Sequence, residues 1–109
     1  MNQPTDVQLK RFWEWCGFQP RYGGLIGQEH IIGWHYPNRD THLKTPELTL
    51  NNLFKYAVPK LRYALLQWSG QEWTAEVQYP PFTGFIPAGS DPSLALFWAV
   101  NEIIEEGTK

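Results

Sequence analysis

Three residues in the stretch HYPNRDTH, His35, Asp40 and His42, carry groups that bind metals and move protons. Two imidazoles and a carboxylate are a donor set for one divalent ion of the zinc type. Their spacing matches neither the helical nor the finger pattern that holds such ligands, and a polar surface turn accounts for the same residues. Cys16 is the single cysteine, which excludes an intrachain disulfide and a zinc site built from several thiolates. As a nucleophile it would need a neighbouring group to stabilise the thiolate. Its place on the apolar side of a helical pattern makes it instead a small core hydrophobe.

Two glycine-containing stretches are candidates for backbone-mediated binding. One is the loop from Gly23 to Gly27; the other is FIPAGSDPSLALFWAV, beginning at Phe85. A phosphate cradle at a helix start combines several glycines with a lysine or hydroxyl. Only Gly89 precedes the helix here, and Asp91 would itself occupy the positive end of the helix dipole. The junction therefore reads as a helix cap, and no cofactor is implied.

The elements that must position these residues follow from capping and periodicity. Thr5 with Gln8 three residues later spells a capping box, and Leu9, Phe12, Trp13 and Cys16 then fall on one helical face. HIIGWHY, from His30, reads as a strand, with part of GFQPRYGGL as its neighbour. Leu50, Leu53, Phe54, Ala57 and Leu61 mark a second helix, capped at Thr45 or Thr49 and stopped or kinked near Pro59. EWTAEVQY alternates strictly and predicts a half-buried strand. Ser69 and Gly70 predict a hairpin before it, and FTGFIP an edge strand after it. Asp91 and Pro92 open a last helix that Gly107 closes.

These elements make one α+β domain over residues 1–109: a small, mainly antiparallel sheet packed with three helices, in the manner of an α/β/α sandwich. Of the 109 residues, 42% are hydrophobic and 16% aromatic against 18% charged, a composition that folds around a core. Nine Lys and Arg against eleven Asp and Glu leave a net charge of −2, so no general field attracts nucleic acid. Lys55, Lys60 and Arg62, the densest basic group, alternate with apolar residues as on a solvated side. The polar start MNQPTDVQLK lacks the apolar core of a secretion signal, and no segment approaches the ~20 apolar residues that cross a bilayer. A cytoplasmic protein without membrane contact is the expectation.

On a helical wheel Leu96, Phe97, Ala99, Val100, Ile103 and Ile104 form the apolar face of the last helix. Leu94 and Trp98 project instead toward Asn101, Glu102 and Glu105. Trp15 likewise sits with Gln8 and Arg11, away from Phe12 and Trp13. Either another element covers these aromatics, or Trp15, Leu94 and Trp98, with Arg11 beside them, form a protein-contact surface.

LTLNNLFKYAVPKL, EWTAEV and SDPSLALFWAVNEII resemble the phage ABA sandwich type of domain, across the last two thirds of the chain. The shared features are framework: a helix end, a Trp-containing strand and a DP-capped terminal helix. The resemblance implies a sheet between helical layers and a phage or prophage setting, and it carries over no catalytic residue. The expected function is a non-enzymatic phage or prophage accessory protein that acts on an unidentified protein partner, a second copy of itself included. The alternative is a small-ligand or metal-binding domain, or an enzyme, using the His35–His42 turn or the Gly23–Gly27 loop.

Overall fold

The computed structural model describes residues 3–36, 41–42, 45–86 and 89–107, with 41 and 42 described by backbone alone. Helix α1 (Asp6–Trp15) starts at the capping box: Thr5 Oγ1 accepts the Gln8 N–H at 3.2 Å, and Gln8 Oε1 accepts the Thr5 N–H at 2.9 Å. Each side chain satisfies a backbone donor that the helix start leaves without an internal partner. Phe12 and Trp13 are fully buried, and Cys16 follows them into the core just past the last turn. Strands β1 (Gln19–Gly23), β2 (His30–His35) and β3 (Thr41–His42) form an antiparallel sheet in that order. The buried indole of Trp34 in β2 donates to Thr45 Oγ1 at 3.2 Å.

One α-helical turn, α2 (Leu50–Asn52), is capped by Thr49, whose Oγ1 accepts the Asn52 N–H at 3.2 Å. It continues into a π-helical segment (Leu53–Ala57) and a 3-10 turn (Val58–Lys60). Pro59 accounts for the change of pitch. In α geometry its ring would collide with the carbonyl four residues back, that of Lys55. The wider turn, closed by Val58 N–H to Leu53 O, relieves that crowding. The helical run ends at Lys60, where the proline was expected to stop it.

Strands β4 (Tyr63–Trp68), β5 (Trp73–Tyr79) and β6 (Phe82–Ile86) make a second antiparallel sheet with β5 in the middle. The class is α+β, with the strands divided between two three-stranded sheets. Helix α3 (Pro92–Gly107) follows. Asp91 Oδ1 accepts the N–H groups of Ser93 at 2.8 Å and Leu94 at 3.3 Å, so the cap itself fills the anion position at this helix start.

Helix α3 is a middle layer, with β5 and β6 packed on one side and α1 and the π-helical segment on the other. Against the sheet, the backbone of Gly84 lies so close to the Ala99 carbonyl that no Cβ fits between them. Against α1, the rings of Phe12 and Phe97 meet with centroids 4.7 Å apart. Burial from two sides explains why part of the outward side of the helical wheel is not solvent, while Glu102 and Glu105 on that side stay exposed. Leu94 is 6% exposed and Asn101 only 3%. The Asn101 amide donates to Glu105 Oε1 at 3.1 Å, which satisfies part of a polar group held inside the protein.

Candidate functional site

The sheet that seats α3 has two unlike edges. In the β4–β5 hairpin, Ser69 N–H donates to Glu72 O at 3.0 Å, and every pair from Trp68↔Trp73 to Tyr63↔Gln78 continues that register. Antiparallel ladders alternate between bonded and non-bonded pairs. Gln67, Leu65 and Tyr63 thus direct their backbone groups to β5, while Ala64, Leu66 and Trp68 direct theirs outward. The far side of the sheet obeys the same phase. Trp73 N–H leaves β5 on the β6 side to reach Gly89 O at 2.6 Å, and Phe85 N–H leaves the outer edge of β6 to reach Glu102 Oε2 at 2.8 Å. At Phe85 the β6 edge is therefore occupied by a carboxylate from α3. Among the described residues, nothing pairs with the β4 edge.

The side chains of β4 are as open as its backbone. Ala64, Leu66 and Trp68 share the face of Ala75 and Val77, on which α3 sits. The helix packs over β5 and β6, so of these three only Leu66 joins the core. Trp68 is 50% exposed and leans on Trp73, with ring centroids 5.2 Å apart. On the outer face Tyr63, Leu65 and Phe85 are exposed, and Leu65, Glu76 and Phe85 form one cross-strand row. β4 contains neither a charge nor a proline, the usual devices that keep an edge strand from pairing.

The residues singled out from the helical wheels lie elsewhere. Trp15 is half-buried, edge-on to Tyr79 at 5.6 Å, with Lys60 Nζ 5.3 Å from its ring centroid. With Tyr79, Phe82, Ile103, Ile104 and Gly107 it lines an apolar groove of about 320 Å³. Arg11 ties α1 to α3 through Glu105 at 3.6 Å. Trp98 is half-buried against Phe97, with centroids 5.0 Å apart. Leu94 does not belong to an exposed patch: α3 is covered on both sides, and Leu94 packs inside. Tyr63, Leu65, Trp68 and Phe85 were missed as surface residues. For the first three the signal was the run YALLQW, which neither alternates nor carries charge; Phe85 lies in FTGFIP, which has no such signal.

The described residues do not bring the candidates for chemistry together. His35 is paired with Thr41 and His42 with Trp34, so the two histidines are not ladder partners, and Asp40 lies outside the described residues. Among the described residues, no three of His, Cys, Asp or Glu gather where they could hold a metal ion. The Gly23–Gly27 loop is the tip of the β1–β2 hairpin, where Leu25 and Ile26 project into solvent. It presents an apolar point to solvent.

Burial pushes the Cys16 thiol up to about 12, partly opposed by the charge of Lys60. At pH 8 the folded chain should therefore react with iodoacetamide at least about tenfold more slowly than the urea-unfolded chain. Equal rates would place the thiol outside the core.

No described helix is long and apolar enough to cross a membrane. No family model matches the chain, and neither a curated protein nor a solved structure matches it.

Proposed function

We propose that this chain is a non-enzymatic protein-interaction domain that acts by accepting an extended strand at β4. The observation that carries this reading is the β4 edge itself: outward backbone groups at Ala64, Leu66 and Trp68 beside exposed apolar side chains on both faces. Main-chain pairing would supply affinity, and alternate side chains of the incoming strand would meet Trp68 on one face and Leu65 on the other. The resemblance to phage ABA sandwich domains adds the setting, a phage or prophage accessory protein working in the cytoplasm.

The test is a titration of the ¹⁵N-labelled chain with a β-forming peptide, Lys-Thr-Val-Thr-Val-Thr-Lys. The amide resonances of Ala64, Leu66 and Trp68 should move more than those of Tyr63, Leu65 and Gln67, because only the former point at the incoming strand. Shifts confined to α1 and α3 would transfer the site to the Trp15 groove, and no shifts at all in a chain that sediments as a monomer would end the strand-addition reading.

A metal-dependent role at the His35–His42 turn makes a different prediction. A metal present at about 100 times its dissociation constant stabilises a fold by roughly 2.7 kcal/mol, or about 10 °C and more for a domain of this size. Zinc is expected to leave the melting temperature within about 1 °C, against that scale.

A further inference from the structure

Building on strand addition at β4, we infer that the strand it accepts is β4 of a second copy of this chain, antiparallel, about a twofold axis through Leu66. A twofold interface needs a surface complementary to itself, and this edge meets that condition in its hydrogen bonds, its side-chain sizes and its charges.

The hydrogen bonds select the register. With Leu66 opposite Leu66 of the second copy, Ala64 stands opposite Trp68 and Trp68 opposite Ala64. All three residues with outward backbone groups then face one another, which is the bonded phase of an antiparallel ladder. Moving the axis to Leu65 would set Trp68 opposite Arg62. The Arg62 N–H is already donated to Gln78 O at 2.8 Å, so that register loses a donor.

The side chains agree with the same choice. On the α3-facing side, the small Ala64 lies beside the large Trp68 of the second copy, and two leucines meet on the axis. The overhang that α3 leaves open beyond β5 is thereby covered from both copies. On the outer face Leu65 stands opposite Gln67, and Tyr63 opposite Ser69.

No charge lies within Tyr63–Trp68, so no like charges oppose each other along the strand. At its ends Arg62 stands opposite Gly70 of the second copy, in the turn that carries Glu72. A cationic strand start thus meets an anionic turn twice, once at each end of the interface. The product is a continuous six-stranded sheet, two three-stranded sheets joined β4 to β4.

The test is the mass of the full chain by sedimentation equilibrium, for the native sequence and two variants. Ala64→Pro removes an outward N–H and no bond to β5. Trp68→Lys replaces an exposed ring with a charge and involves no backbone strain. The native chain should sediment at twice the mass of one chain. Each variant should dissociate at least about tenfold more readily while its circular dichroism stays unchanged. Should the proline variant unfold, the lysine variant carries the test alone.

A native chain that stays monomeric up to about 1 mM overturns self-pairing. If the peptide titration still moves the Ala64, Leu66 and Trp68 amides in that monomer, strand addition survives with another partner; if it does not, both fall. A dimer indifferent to both substitutions also overturns the inference, because its interface lies elsewhere.

Discussion

Gly84→Ala is expected to destabilise the chain by about 3 kcal/mol or more and to lower its melting temperature by roughly 15 °C. The added methyl would run into the carbonyl of Ala99 and press on the Val77 side chain. A side chain in its way could change rotamer, but a helix carbonyl cannot, so α3 must lift from the sheet. Lifting it loosens the contacts of Val77, Val100 and Ile103, all buried beneath or within that layer. Gly107→Ala is the control. Its methyl would sit 3.8 Å from the Phe82 ring, an ordinary contact, and should change the melting temperature by no more than about 3 °C. Calorimetry on the two variants decides the matter. Equal, small shifts would mean that α3 does not rest on β6 as described.

Phe97→Ala is expected to cost about 4 kcal/mol, and Phe97→Leu about 1–2 kcal/mol. Phe97 is fully buried where α3 meets α1, with its ring 4.7 Å from Phe12 and 5.0 Å from Trp98. Alanine leaves a cavity that two helices and a sheet cannot close together, whereas leucine fills most of it. Domains of this kind are stable by about 5–15 kcal/mol in all, so the alanine variant should sit near the edge of folding at 37 °C. Urea unfolding measures both, with an unchanged denaturant slope showing that stability alone has moved. A cost below about 1 kcal/mol for the alanine variant would show that α1 and α3 are not joined through this ring.

The element starts were legible because each is written in a few adjacent residues. Thr5 and Gln8 close their capping box, Asp91 caps α3, Pro59 ends the second helical run, and Trp73 to Tyr79 alternate as a strand packed on one face. What was not legible depends on a second element. A helical wheel assigns one buried side, and Leu94 and Asn101 lie on what it calls the other side. They are buried because α1 and the sheet take opposite faces of α3. The surface at β4 escaped for the converse reason. An uncharged apolar run such as YALLQW reads as interior, and its exposure follows only from α3 lying over β5 and β6. The hairpin that contains it was nonetheless signalled by Ser69 and Gly70. The donors of HYPNRDTH have the right chemistry for a metal, but one-dimensional spacing says nothing about whether they meet.

Glu102 reaches from α3 to the Phe85 N–H and occupies that donor on the outer rim of β6. A sheet with both rims free can recruit neighbours without limit and grow into a fibre, whereas one with a single free rim stops after its first addition. On the inferred pairing at β4, Glu102 acts at the other rim as a stop: Glu102→Ala should release the Phe85 donor and turn a dimer into larger, open-ended species, which sedimentation would register.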